Sequence, residues 1–210
     1  MTGDLDTTQV LTNVLPALHA ASTSDSDLTF WKLTDLIEFM DEGLKRLARK
    51  AGVFVKRSTS ITSAVGSATY SLPDDHVAVL HVSYGTTALR PAGTIELESR
   101  DENYRTTQGT PDHWCLDQLG DYTMGLSPVP NHAGDSVPVI YTALAPELDD
   151  AQENTLVTAP SPLKGYLTMC ILAEAYGREG EMEMQDLAQH CKGRIAMYEA
   201  MMADYYGMGE

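Results

Sequence analysis

The chain has 210 residues, 43% of them hydrophobic, and a formal net charge of -16 at pH 7. That length supports one large domain or two small ones around a real core. The charge disfavours a protein that grips nucleic acid by its phosphates or docks on an anionic membrane, since both need clustered Lys and Arg.

No apolar run approaches the roughly 20 residues of a membrane helix, and MTGDLDTTQ lacks the basic region and apolar core of a signal peptide. Cys115, Cys170 and Cys191 are an odd count at wide spacing and read as reduced, half-buried side chains.

Residues 5–50 read as helical. Asp6 with Gln9 fits a capping box, and Val10, Leu11, Val14, Leu15 and Leu18 line one face. Pro16 must either kink this helix or start a second one at its first turn. After the polar break Ala21 to Asp27, Leu33, Leu36, Ile37, Met40, Leu44, Leu47 and Ala48 recur at amphipathic spacing. Lys45, Arg46, Arg49 and Lys50 suit the negative end of that helix, and Gly52 stops it.

From Val53 to Ala145 the period becomes extended. Strands are expected at Phe54 to Thr62, Ala68 to Leu72, Val77 to Tyr84, Ala88 to Pro91, His113 to Asp117, Tyr122 to Leu126 and Val137 to Tyr141. Turn residues separate them. The stretch VGSATYSLPDDHVAVLHVSY carries the clearest instructions: strand, a Pro73-Asp74-Asp75 turn, then alternation through Tyr84, the opening hairpin of a β domain. Thr94 to Glu102 is compatible with a short helix or an irregular loop. Short strands at this spacing predict an antiparallel sandwich or barrel.

Residues 146–160 form an acidic connection without clear period. Ser161 and Pro162 start a helix whose buried stripe is Leu163, Tyr166, Leu167, Cys170 and Ile171, ending near Gly177. A Gly180 turn leads to a last helix with Met184, Leu187, Cys191, Ile195, Tyr198, Met202 and Tyr205 on one face. The predicted class is therefore α+β: a helical bundle built from both chain ends, residues 1–52 and 158–210, with an inserted antiparallel β-sandwich or barrel-like domain over 53–157, acidic linker included.

Motifs that carry chemistry are sparse. His113 with Cys115, and His190 with Cys191, lack a second pair at zinc-site spacing, so no metal and no cofactor is expected. Asp74, Asp75 and His76 could be a catalytic cluster, yet they follow Pro73 and read more simply as turn chemistry. Glu179, Glu181 and Glu183 suit a solvated turn and helix start. No nucleophile elbow, zinc-protease motif or phosphate loop occurs, and no catalytic residue is expected. The terminal ADYYGMGE offers Tyr205, Tyr206 and Met208 either to a partner or to a frayed end.

Four stretches together resemble the head-to-tail adaptors of tailed phages, of tail tubular protein A type. They are FWKLTDLIEFMDEGLKRLARKAGVF; ATYSLPDDHVAVLHVSYGTTALRP; TQGTPDHWCLDQLGDYTMGLSPVPNHAGDSVPVIYTAL; and LAEAYGREGEMEMQDLAQHCKGRIAMYEAMM. The combination of YSLPDD, GTPDHW and LSPVP is the most specific part. The motif positions are Tyr70, Leu72, Pro73, Gly109, Pro111, Trp114, Pro128, Pro130 and Tyr141.

The resemblance implies a structural virion protein in the phage neck, assembled in the host cytoplasm as a ring of about twelve copies between portal and tail or nozzle. It implies helices at the ring and portal contacts, portal docking by the C-terminal segment, and genome DNA passing through without specific binding. The last 64 residues carry twelve acids against four bases, a balance suited to a channel wall that repels phosphates. The rival readings are a carbohydrate- or receptor-binding β-sandwich, with Trp114 and Tyr122 as a platform although Trp114 is expected to be buried, and a hydrolase with a dispersed site.

Overall fold

The computed structural model describes residues 4–18, 31–116, 122–146, 148, 156–160, 163–178 and 184–206, with residues 4–6 and 156–160 described by backbone only. The fold is mixed α+β, with five helices and mainly antiparallel sheets among the described residues. The chain divides into two compact units, Met1–Phe54 together with Leu144–Glu210, and Val55–Ala143.

In the first unit, α1 (Thr7–Ala17) buries Val10, Leu11, Val14 and Leu15, and Leu18 just beyond it is also buried. Pro16 lies in the last turn of this helix, where it lacks the N–H that would reach back to the Thr12 carbonyl, and the helix stops one residue later. It therefore does not start a second helix. The backbone before it corrects the helical reading of the chain start: β1 (Asp4–Asp6) pairs antiparallel with β12 (Leu156–Pro160). The second partner falls in the stretch read as a connection, because a pairing this short leaves no readable period.

Helix α2 (Leu33–Ala51) realises its expected stripe, with Leu36, Ile37, Met40, Leu44 and Leu47 essentially inaccessible. Each such side chain contributes about 1.5–3 kcal/mol through its burial. Gly52 closes the helix at φ 56°, its N–H donating to Ala48 O at 3.2 Å, a left-handed conformation that glycine adopts without penalty. Helix α4 (Lys164–Gly177) buries Tyr166, Leu167, Cys170 and Ile171, with Leu163 buried just before it. Ser161, Pro162 and the Gly180 turn lie outside the described residues.

Helix α5 (Gln185–Tyr205) differs from expectation. Its buried line is Ala188, Cys191, Ile195, Glu199 and Met202, while Met184, Leu187 and Tyr205 are exposed. The expected face ran partly along the neighbouring side of the helix and left out the one acid that belongs to the core line.

The second unit holds two four-stranded sheets. One has the order β2 (Val55–Ser58), β11 (Val139–Ala143), β4 (His76–Tyr84), β5 (Thr87–Ala88). The other has the order β3 (Thr69–Ser71), β9 (Thr123–Ser127), β8 (His113–Leu116), β6 (Arg90–Pro91). Both have open ends, so no barrel closes among the described residues. The expected strand Ala88 to Pro91 splits between the sheets, and Thr94 to Glu102 resolves as helix α3 (Thr94–Arg100). Two short pairings are parallel, β6 with β8 and β10 (Val129–Pro130) with β7 (Gln108–Gly109).

The opening hairpin is corrected as well. β3 pairs with β9 and β4 pairs with β11, so the Pro73–Asp75 turn is a corner between sheets. Leu72 N–H donates to Tyr122 O at 2.7 Å, holding the incoming strand along the β3-β9 sheet. Three residues later, Asp75 accepts from Lys56 Nζ at 2.6 Å and from the Tyr141 hydroxyl at 3.0 Å, which ties the outgoing strand to β2 and β11. Register shifts beside Ile140 and Thr142 then break the alternation of β4, of which only Val82 is fully enclosed.

Candidate interaction sites

In the helical unit, the polar centre is built by small residues that let helices approach. Gly43 on α2 faces Cys170 on α4 so closely that a Cβ there would lie 3.0 Å from the thiol sulfur. The gap admits the Tyr166 hydroxyl, whose proton is shared between Gly43 O at 3.2 Å and Glu199 Oε1 at 3.3 Å. Glu199 also accepts from Arg46, and from Lys50 Nζ at 2.8 Å. Its side chain is only 7% exposed, whereas Arg46 and Lys50 are about half in water.

Two of the bases expected to serve the α2 dipole thus reach across to α5. Sequence reasoning missed this network. Its signal was an acid four residues after Ile195, on the same helical line, with unpaired bases at the end of another helix. Burial pushes the Tyr166 hydroxyl well above its ordinary range and the Cys170 thiol up to about 12, so neither serves as an acid or nucleophile near neutrality. A cleft of about 910 Å³ opens beside this network, with Phe39, Gly43, Arg46, Arg49, Glu174 and Ile195 in its lining.

In the β unit, the motif positions gather around two supports. Gly109 pairs with Pro130, and a Cβ on Gly109 would lie 3.2 Å from the ring of Pro128. Gly66 N–H donates to Pro130 O at 3.0 Å, and the Tyr70 hydroxyl bonds Ser67 O at 3.1 Å, fastening the loop before β3. Tyr70, Leu72, Pro111, Trp114 and Pro130 are buried, and Pro73 and Pro128 partly so. Tyr141 belongs to the second support, the Asp75–Lys56 pair described above. A hydrogen bond from Lys56 holds the Asp75 carboxyl below the ordinary carboxylate range against the opposing effect of burial, and Tyr141 assists.

These positions are framework. Trp114 is buried as expected, while Tyr122 is exposed, so the two do not form a ligand platform. The His76 ring lies 2.8 Å from Pro73 O and packs edge-on against Tyr122. The nearest approach to a catalytic dyad is Asp112–His113. There Nδ1 lies 2.6 Å from Asp112 Oδ1 and Nε2 lies 2.8 Å from an Arg100 nitrogen. A guanidinium can only donate, so Nε2 accepts and Nδ1 carries the proton; both nitrogens are occupied. Among the described residues no group of His, Cys, Asp and Glu is placed to hold a metal ion, and no helix is long and apolar enough to cross a membrane. All three cysteines are free, and they are fully buried rather than half-buried.

At the C-terminus, Tyr205 is 80% exposed. Tyr206 packs against the helical core and edge-on to Tyr205, at 5.1 Å between centroids. Met208, and the acids Glu179, Glu181 and Glu183, lie outside the described residues.

The family model described as SU10 adaptor protein matches residues 8–208, nearly the whole chain. No curated protein matches the sequence.

Proposed function

The chain belongs to the SU10 adaptor protein family, and on that premise we propose that it is a head-to-tail adaptor of a tailed phage, of tail tubular protein A type. In this reading it sits in the virion neck as a ring of about twelve copies between the portal and the tail or nozzle. The observation that carries the reading is the family match, which spans both compact units.

We assign portal and ring contacts to the helical unit and an outward or tailward position to the β unit. Two features support a structural role. The titratable clusters that resemble active sites are closed into framework hydrogen bonds, and the polar groups of the helical core serve to lock three helices together. The acid excess of the last 64 residues suits a conduit through which DNA passes unheld, provided part of it faces the channel. The C-terminal segment would add contact at the portal while ring formation supplies avidity.

Quantitative mass spectrometry of purified virions tests the reading by comparing this chain with the portal protein. A ratio near one to one supports a ring matched to the portal. Absence from the particle refutes the adaptor role, and a large excess points to surface decoration. For the docking segment, removing Gly207–Glu210 spares Ala203 and Tyr206, which pack on the core. The truncated chain is expected to fold and self-assemble normally while joining portals poorly; normal incorporation refutes the assignment.

A further inference from the structure

Helix α5 carries a second apolar line in addition to its buried one. Leu187, Met197, Met201 and Tyr205 are 45%, 50%, 52% and 80% exposed, and at 3.6 residues per turn they lie on one side of the helix, with Arg194 among them. The core is complete without them: Tyr198, Ala203 and Tyr206 supply the partly buried rim of α5 against it. Two unbranched methionines and a tyrosine in a line make an adaptable docking surface.

The charge around this line identifies its occupant. The chain as a whole repels a second copy, at -16. The helix is an exception: its exposed ionic residues are Asp186, Lys192, Arg194 and Asp204, which cancel, and its remaining acid, Glu199, is buried and neutralised by Arg46 and Lys50. It is therefore a face on which two copies can meet without net repulsion.

The order of those charges fixes direction. Arg194 and Asp204 are ten residues apart, about 15 Å along the axis, with Met197 and Met201 placed symmetrically between them. Laid antiparallel, Met197 meets the second copy's Met201, and each Arg194 comes level with the second copy's Asp204 and Tyr205. Laid parallel, arginine meets arginine and aspartate meets aspartate.

We propose that this stripe is a self-association surface, on which α5 of a second copy lies antiparallel in a two-fold, self-complementary contact. The contact covers the Met197–Tyr205 part of the stripe while the chain is free in solution, and it does not depend on the adaptor reading.

The test is sedimentation equilibrium of the full chain over a concentration series. The expected species is a reversible dimer of twice 22.9 kDa. M197E/M201E should weaken dimerisation by about a hundredfold with an unchanged circular dichroism spectrum, because it places four carboxylates in a seam that held four methionines. R194D and D204R should each weaken it by about fivefold, since two exposed ion pairs are lost per dimer. R194D/D204R together should restore it, which only the antiparallel arrangement allows. A chain that stays monomeric to about 100 µM overturns the proposal. An oligomer indifferent to M197E/M201E, or a double charge reversal as weak as either single one, overturns it equally.

Discussion

Replacing Glu199 with Gln tests whether the buried carboxylate locks the helical unit. The substitution keeps the shape and removes the charge that Arg46, Lys50 and Tyr166 address. A hydrogen bond to a charged group is worth about 1.5–3 kcal/mol when fully enclosed. Here the acceptor is 7% exposed but both cations are about half in water, which brings each pair towards the exposed value of about 0.2–1 kcal/mol. The amide also turns an N–H towards donors that need an acceptor. Together these give a loss of about 2 kcal/mol, or a fall in Tm of about 4–8 °C for a chain of this size. Thermal and urea unfolding, followed by the near-ultraviolet signal of the buried tyrosine, measure it. Glu199→Leu should cost less, because Tyr166 keeps Gly43 O and both cations can turn to water. A Glu199→Gln chain as stable as the parent, or more so, would refute the reasoning and make the carboxylate a tolerated burden on the core.

Further outcomes follow from other contacts. Gly43→Ala gains about 1 kcal/mol of helix propensity but drives a methyl to 3.0 Å from Cys170, an overpacking cost of about 1–3 kcal/mol. Net destabilisation is expected, and Cys170→Ala should reverse it in a double-mutant unfolding cycle. Asp75 has a folded pKa below its unfolded value, so its contribution is complete above about pH 4 and fades as pH falls through the folded value. Lys56→Met should therefore lower stability at pH 7 by no more than about 1 kcal/mol, both groups being well exposed, and the gap should shrink as pH falls through the folded value of Asp75. Cys170, with its thiol pushed up to about 12 by burial, should resist iodoacetamide at about pH 8 in the folded chain and react in urea. Rapid native labelling at Cys170, read by intact mass, would contradict the packing against Gly43.

The helices were legible because their information is local and repeated. Five or more apolar positions at helical spacing, as along α2, outvote any single exception. Strand positions were legible for the same reason, while partners were not. The turn Pro73-Asp74-Asp75 reads the same whether it returns a strand to its neighbour or sends it to another sheet. The choice is made by Asp75 meeting Lys56 and Tyr141, which are 19 and 66 residues away. The two parallel pairings, each only two residues long, carry no period at all. Glu199 fell outside the expected stripe because a carboxylate counts as polar until its cations are known, and those stand on another helix.

The same distinction separates the motif positions read from the sequence from the surfaces that would do the work. Tyr70, Gly109, Pro111, Trp114 and Pro130 are positions where the backbone must turn, or where a ring must fill a fixed space, so their identities are constrained by this chain's own fold. Met197 and Met201 fill no buried space within the chain, and Tyr205, 80% exposed, meets its neighbour Tyr206 edge-on. In the self-association proposed above, their identities answer to what lies against them. A motif built from the first group can therefore mark the fold, while partner choice is written in the second. For that reason substitutions along the exposed line of α5, which should leave the fold untouched, are the sharper probe of how copies of this chain meet.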